Sequence, residues 1–211
     1  MSELCFELHS LFNGLDRYRF PFSKENIPLN GIYILFESTE KAHGADRIVR
    51  AGTHTGSNQL RSRLKQHFID QNKDRSIFRK NIGRALLNKA KNPFLDKWEL
   101  DLTTREAKLK YAHLINFDEQ AIIENQVSQY IQENFSFVVF EMNNKEERLL
   151  WESRIISTVS LCSECKPSSN WLGNFSTKEK IKESGLWLVN ELYKKPINQQ
   201  EFEVLRKISL N

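Results

Sequence analysis

The sequence GIYILF at residues 31–36 is the clearest structural signal in this 211-residue chain. It is an apolar run rich in β-forming residues, and the turn residues Pro28 and Asn30 precede it. A short apolar run behind turn residues predicts a buried central strand. A second such run, RIVRA at residues 47–51, ends at Gly52. Because the polar segment between the two runs is too short and irregular for a crossover helix, we expect an antiparallel pair.

Outward from this pair, extended and helical patterns follow one another in mixed order. Residues 135–142 alternate enough to form a third core strand. Residues 93–116 are ambiguous, with candidate strands at 98–100 and 110–115. This mixed order favours the α+β class. We expect one helix capped by Ser57 or Asn58, one capped by Asp118 and one opened by a capping box of Ser176 and Glu179. Two further helices are predicted to begin after Ser76 and at Lys145.

The composition is that of an ordinary globular protein. With 39% hydrophobic and 27% charged residues, the chain is neither disordered nor of low complexity. No segment approaches the roughly 18 apolar residues that a membrane span requires. Residues 1–6 also lack the basic and apolar pattern of a secretion signal. We therefore expect a soluble, cytoplasmic protein with no membrane partner.

Positive charge is concentrated in one segment. The whole chain has a formal net charge of +4, but residues 47–84 hold ten Lys and Arg residues against only Asp70 and Asp74. A local cationic segment is typical of a surface that follows the phosphates of a nucleic acid. A solvated helix face would give the same pattern, and charge alone does not separate the two interpretations.

Three cysteines occur in the chain. Cys162 and Cys165 form a lone C-x-x-C pair, and Cys5 lies far from them in sequence. A zinc site would need two further ligands, and no second pair follows at a suitable distance. For an intracellular chain we therefore expect reduced thiols without a structural metal.

Two predicted helices carry charged residues on the side that should face the core. On the first, Leu60, Leu64 and Phe68 recur every four residues. Arg63 and His67 lie at the edge of that stripe, four residues apart and therefore adjacent in space. An inward guanidinium costs several kcal/mol unless it finds a partner or lines a polar cleft.

The second helix repeats this conflict with a carboxylate. Glu152 lies within the stripe defined by Leu149, Ile156 and Val159. Tyr33 projects from one face of the first strand, because side chains alternate along a strand. The phenol, the inward arginine and Glu152 could then meet in one hollow. The alternative is a buried Arg–Glu ion pair, with Tyr33 as an ordinary core aromatic.

Five motifs in this order resemble the GIY-YIG nuclease superfamily, and they extend over about two-thirds of the chain. The sequence RAG at residues 50–52 stands where the superfamily usually has Tyr-Ile-Gly, so the second tyrosine is missing. The stretches NWLG at 170–173 and SGLW at 184–187 look like a feature of small stand-alone bacterial members. The five motifs are GIY at 31–33, a second strand ending at Gly52, RxxxH at 63–67, Glu152 within LWESRII, and Asn170 behind Pro167.

This resemblance implies a small, mainly antiparallel central sheet flanked by helices. It implies a nuclease domain at residues 30–175, with an N-terminal extension at 1–29 packed on the core and a helical C-terminal extension at 176–211. It also implies hydrolysis of DNA phosphodiester bonds with the help of Mg²⁺ or Mn²⁺.

The resemblance assigns a role to each matched polar residue. Tyr33 would take the proton from the attacking water, and His67 would orient that base or relay the proton. Arg63 would contact a phosphate oxygen. Glu152 would hold the metal ion, and Asn170 would position Glu152 or its helix through a hydrogen bond.

Three further residues are candidates for contacts with the substrate phosphate. Arg50 takes the place of the missing tyrosine, as a basic residue does in some restriction enzymes of the superfamily. His54 lies in the loop after the second strand, where a histidine is more often solvated than functional. Arg79 lies on the next predicted helix, where a solvated face explains it equally well.

The leading hypothesis is therefore a Mg²⁺-dependent DNA endonuclease. The alternative is a nucleic-acid-binding protein that has kept the fold and lost the chemistry, as the missing second tyrosine would allow. RNA stays open as the substrate in place of DNA, and the sequence assigns no oligomeric state.

Overall fold

The computed structural model describes residues 2–210, and its centre is a single four-stranded sheet. All neighbouring strands are antiparallel, in the order β1-β4-β2-β3. This confirms the α+β class and the antiparallel pairing of the two sequence runs, in which Tyr33 lies opposite Gly52. The strands are β1 (Tyr18–Arg19), β2 (Gly31–Ala42), β3 (Ala45–Gly52) and β4 (Phe135–Glu141).

Helices cover both faces of this sheet. Within residues 2–210 they are α1 (Ser2–Asn13), α2 (Leu60–Phe68), α3 (Ile77–Lys89), α4 (Leu95–Glu99), α5 (Arg105–Tyr111), α6 (Phe117–Asn134), α7 (Lys145–Ser160), α8 (Glu179–Ser184) and α9 (Gln199–Ser209). None of these helices is both long enough and apolar enough to cross a lipid bilayer.

The alternation along β2 divides the apolar interior into two layers. Ile32 and Ile34 belong to one layer, together with buried residues of α1, α7 and α9. Tyr33 and Leu35 belong to the other layer, which α2, α3 and α6 complete. The predicted inward stripe of α2 is confirmed, because its three apolar residues at 60, 64 and 68 are fully buried. Tyr33 therefore faces the helix that carries Arg63.

Residues 93–116 do not form the two candidate strands. They fold as the short helices α4 and α5 and a 3-10 turn at Ala112–Leu114. Trp98 is buried on α3, where its indole N–H donates to the Lys80 carbonyl at 3.0 Å. This docking on a helix provides the burial that an aromatic β-former would otherwise find in a sheet.

Three of the expected helix caps are wrong. Neither Ser57 nor Asn58 caps α2, whose N-cap is Gln59. The cap of α6 is Asn116 rather than Asp118. The capping box in the C-terminal region joins Asn198 and Glu201 at the start of α9, while no side chain caps α8. The helix expected after Ser76 is confirmed as α3, and the Ser76 hydroxyl caps it by accepting from the Arg79 N–H.

The segments before and after the central region share its core. Strand β1 pairs with β4, and α9 contacts both α1 and β4. Glu37 of β2 also binds the C-terminal region, because its buried carboxylate accepts from the indole N–H groups of Trp171 at 2.7 Å and Trp187 at 2.8 Å. Burial raises the pKa of Glu37, and these hydrogen bonds oppose that shift.

Candidate active site

A cavity of about 450 Å³ opens where the end of β3 meets α2, α3 and α7. A second cavity of about 250 Å³ shares the side chains of Arg63 and Glu152 with the first. These two residues come from α2 and α7, which lie far apart in the chain. The polar residues that line the larger cavity are Arg50, Arg63, Asn81, Glu152, Asn190 and Glu191.

Glu152 is held at the cavity by the backbone at the end of β3. Its Oε1 accepts from the Thr53 N–H at 3.0 Å, and Thr53 follows the last residue of the strand. Burial raises the pKa of this carboxyl, while Arg50, the Thr53 N–H and Arg63 act to lower it. Among residues 2–210, no Lys or Arg side-chain nitrogen lies within 4.0 Å of a Glu152 carboxylate oxygen, so Glu152 forms no ion pair with them. The sequence alternative of a buried Arg–Glu ion pair is therefore wrong for Glu152.

Arg63 presents unused donors beside this carboxylate. Its Nη1 donates to Gln66 Oε1 and to the Arg75 carbonyl, both at 3.3 Å. Its Nε is buried and has no hydrogen-bond partner within the described residues. A guanidinium with free donors at a cavity can bind an anion without first breaking an ion pair.

Tyr33 lies beneath the cavity and belongs to a hydrogen-bonded chain. Its hydroxyl lies 2.8 Å from His67 Nε2, and the Arg50 Nε–H donates to it at 3.3 Å. His67 Nδ1 lies 2.7 Å from Ser76 Oγ. Tyr33 and His67 are both fully buried, whereas Arg50 lines the cavity. The phenol is therefore connected to the cavity through the Arg50 guanidinium.

Burial favours the neutral form of the His67 imidazole. It lowers the pKa of His67 well below its usual value, and the positive charges of Arg50, Arg63 and Arg79 lower it further. A neutral imidazole can accept a proton at Nε2 when Nδ1 is the donor to Ser76. His67 is thus suited to accept the hydrogen bond of the Tyr33 hydroxyl.

Two glycines let the strands approach this closely. A Cβ at Gly52 would lie 2.2 Å from the Tyr33 hydroxyl oxygen, and a Cβ at Gly31 would lie 2.2 Å from the Phe140 carbonyl oxygen. Neither position has room for a side chain. Steric crowding at the site therefore explains why both motifs carry glycine at these positions.

His54 lies at the smaller cavity. Its Nδ1 is 2.6 Å from the Gly56 carbonyl oxygen, and its Nε2 lies 3.4 Å from the Gly31 nitrogen. Burial lowers the pKa of His54, and Arg148 adds to this effect. The histidine faces the same space as Arg63 and Glu152.

Arg79 does not reach the cavity. Its fully buried guanidinium pairs with Glu124, with Nη2 to Oε2 at 2.7 Å, and also donates to Ser128 Oγ at 2.8 Å and to the His67 carbonyl at 3.2 Å. These donors are used inside the core. The expected contact between Arg79 and a substrate phosphate is therefore not supported by its position.

Asn170 is also away from the larger cavity. It is exposed in the segment after α7 and does not line the space between Arg63 and Glu152. The backbone N–H of Thr53, rather than an asparagine, holds the Glu152 carboxylate. Thr53 was missed, although its place directly after a strand that ends at Gly52 was a usable signal.

The inward stripe of α7 differs from the prediction at its first residue. Leu149 is 38% exposed and stands at the rim of both cavities, whereas Trp151 and Ile155 are buried. Ile156 and Val159 are buried as expected. Glu152 consequently lies at the edge of the buried face, which explains how a carboxylate can reach solvent there.

Comparison with models of known protein families places the chain. A family model described as a GIY-YIG domain matches residues 3–210, which is nearly the whole chain. No curated protein and no solved structure matches the chain.

Proposed function

This chain belongs to the GIY-YIG domain family, and from that premise we propose that it is a divalent-metal-dependent endonuclease that hydrolyses DNA phosphodiester bonds. The observation that carries this proposal is the convergence of Arg63 and Glu152 on one cavity without an ion pair between them. A guanidinium and a carboxylate held apart can each bind a different part of a metal–phosphate complex.

The arginines provide the phosphate contact. Within the described residues only Nη1 of Arg63 forms side-chain hydrogen bonds, both at 3.3 Å, so its terminal Nη1 and Nη2 groups can offer a forked pair of donors to two phosphate oxygens. Arg50 lines the same cavity and adds a second positive charge. Preorganised cations stabilise the extra negative charge that a phosphodiester gains in its transition state.

Glu152 fits a hard divalent cation such as Mg²⁺ or Mn²⁺. One carboxylate at a cavity, with water and phosphate oxygens as the other ligands, is a common way of holding Mg²⁺. Burial without a cation partner raises the pKa of Glu152, so a bound cation would favour its ionised form. When bound, such an ion would neutralise phosphate charge and help the leaving oxygen depart.

Tyr33 and His67 provide a path for the proton of the attacking water. Arg50 both donates to the Tyr33 hydroxyl and lines the cavity. A phosphate that draws the Arg50 guanidinium into the cavity would therefore uncover the Tyr33 hydroxyl. Tyr33 would then accept the proton from water while its own proton passes to the neutral Nε2 of His67. Asn170 has no part in this scheme.

The test is cleavage of supercoiled plasmid with Mg²⁺, with Mn²⁺ and with EDTA. Glu152→Gln and Arg63→Met should each reduce the cleavage rate by at least about 100-fold. The matched controls are Glu146→Gln, at an exposed position of α7, and Arg105→Met, at an exposed position of α5. Cleavage that survives both cavity variants, or that persists in EDTA, would refute the proposal.

The second candidate is a nucleic-acid-binding protein without catalysis. Two observations favour it: the second motif carries Arg50 instead of tyrosine, and the Tyr33 phenol is fully buried. It predicts salt-sensitive binding of supercoiled, branched and single-stranded DNA with no cleavage of any of them. Matched RNA and DNA oligonucleotides in the same assay would identify the nucleic acid.

A further inference from the structure

A group of thiols and imidazoles lies in the layer of the core opposite Tyr33. Cys5 comes from α1, His43 from the turn between β2 and β3, and Cys162 and Cys165 from the segment after α7. The two sulfurs of Cys5 and Cys165 are 3.3 Å apart. His43 Nε2 lies 3.4 Å from Cys162 Sγ and 3.3 Å from Cys165 Sγ.

These separations resemble the edges of a zinc coordination tetrahedron. With Zn–S bonds of about 2.3 Å and Zn–N bonds of about 2.0 Å, tetrahedral ligands stand roughly 3.8 Å apart for S···S and roughly 3.5 Å for S···N. The observed distances are shorter than these by a few tenths of an ångström or less. Side-chain rotations of that size would seat an ion at the centre of the group.

His43 is oriented as a zinc ligand. Its Nε2 points at the sulfurs, while its Nδ1 lies 3.4 Å from the Glu164 carboxylate. A carboxylate behind a histidine is a common way of fixing the ring of a zinc ligand. His43 and Gly44 both have positive φ, at 53° and 74°, so a tight two-residue hairpin turn carries this imidazole. Its side chain is only 2% exposed.

His9 is a neighbour of this group, with both ring nitrogens already used. Its Nδ1 lies 2.8 Å from the Cys5 carbonyl oxygen, and its Nε2 accepts from the Ile48 N–H at 3.2 Å. Its Nε2 lies 3.9 Å from Cys165 Sγ, farther than His43 Nε2 does. The ligand atoms of Cys5, His9, His43 and Cys165 all lie within 4.8 Å of one another, but binding an ion would cost His9 its hydrogen bond from the Ile48 N–H. Cys162 Sγ lies 3.4 Å from His43 Nε2, so we take Cys162 as the fourth ligand.

We propose that Cys5, His43, Cys162 and Cys165 bind a structural zinc ion. Three thiolates and one imidazole close a tetrahedral site and leave no position open for substrate. The ion joins α1, the β2–β3 turn and the segment after α7, so it ties the N-terminal helix to the helix that carries Glu152. This site is independent of the proposed nuclease function, and it replaces the expectation of metal-free thiols.

The first test is the metal content of the full chain, purified under reducing conditions without added metal. We expect about one zinc ion per chain, released when a thiol-modifying reagent is added. Replacing zinc with Co²⁺ should give the thiolate charge-transfer and visible bands of a tetrahedral site. Removing zinc should lower the unfolding midpoint by about 10 °C. A chain that is folded without zinc and binds no Co²⁺ would overturn the proposal.

Variants then test the ligand set. Cys5→Ser, His43→Gln, Cys162→Ser and Cys165→Ser should each lower the zinc content at least tenfold. His9→Gln should keep the metal, as should the controls Ser163→Ala within the C-x-x-C pair and His113→Gln on the surface. Zinc that is lost in His9→Gln and kept in Cys162→Ser would overturn the assignment of the fourth ligand.

A disulfide is the chemical alternative for the same cysteines. Thiol titration of the denatured wild-type chain should find all three cysteines reduced once zinc is released. Fewer thiols, together with absent zinc, would assign this group to redox chemistry and overturn the metal site. Because these measurements use metal content and thiols, they are separable from any failure of the cleavage assay.

Discussion

Five arginines of the basic segment fall into two groups with opposite surroundings. Arg47, Arg79 and Arg84 are buried and paired with carboxylates, at 2.7 Å, 2.7 Å and 2.6 Å respectively. Arg50 and Arg63 line the cavity and form no ion pair within residues 2–210. The segment is therefore not one continuous phosphate-binding surface. Arg47, Arg79 and Arg84 hold the core together through carboxylates, whereas Arg63, which has no carboxylate partner within residues 2–210, keeps donors for a ligand.

The largest loss of stability should come from breaking the buried ion pair between Arg79 and Glu124. Arg79→Met leaves Glu124 buried without a cation, so we expect the free energy of unfolding to fall by about 3–5 kcal/mol. The double variant Arg79→Met, Glu124→Met should recover most of that loss. Urea unfolding of the variants measures both values. Arg63→Met should change stability by only about 0.5 kcal/mol, and an equal loss at both arginines would contradict the comparison.

Under the proposed endonuclease function, a smaller effect should appear in DNA binding. Arg63→Met should reduce the salt slope of log K by about 0.9, because one phosphate contact is lost. Arg84→Met should leave the slope unchanged, since Glu99 already occupies that guanidinium. Fluorescence anisotropy across a salt series gives the slopes. A slope that responds equally to both changes would mean that paired arginines also contact phosphate.

The pH dependence of stability provides a third comparison, in which His67 makes a separable contribution. Because burial lowers the folded-state pKa of His67, the unfolded chain binds a proton first as the pH falls below about 6.5. Stability is therefore lost with falling pH at up to about 1.4 kcal/mol per unit, until the folded pKa is reached.

The matched variants isolate this histidine. Between about pH 6.5 and pH 5, the free energy of unfolding of His67→Gln should fall less steeply with pH than that of the wild type, by the slope that one proton contributes. The exposed variant His113→Gln should keep the wild-type slope. Urea unfolding at several pH values gives the slopes. If His67→Gln keeps the wild-type slope, the imidazole is not held neutral.

The smallest change is expected at Glu152. Its folded-state pKa is raised, so the contribution of this carboxyl to stability falls as the pH rises through that pKa. Without divalent cations at pH 7, Glu152→Gln should therefore unfold at the same temperature as the wild type or slightly higher. Differential scanning calorimetry measures this, with Glu146→Gln as the control. A clearly lower midpoint would show that the carboxylate is already paired.

The strongest sequence inferences were those that rested on periodicity. The runs at residues 31–36 and 47–51 form the predicted antiparallel pair, and α2 buries the predicted stripe. Tyr33 also faces α2, because alternation along a strand is a local property. Periodicity failed at Leu149, where the burial of a helix face depends on what covers it.

Local side-chain spacing in the sequence specified the central antiparallel pair and the inward face of α2, but it left residues 93–116 ambiguous between strand and helix. Which inward charges are neutralised depends on the folded arrangement of distant segments. Glu124 reaches Arg79 across 45 positions and Cys165 reaches Cys5 across 160, and no local pattern encodes such pairings. Contact distance governs both ion pairing and metal ligation, so the open cavity and the proposed zinc site exist only once the chain has folded.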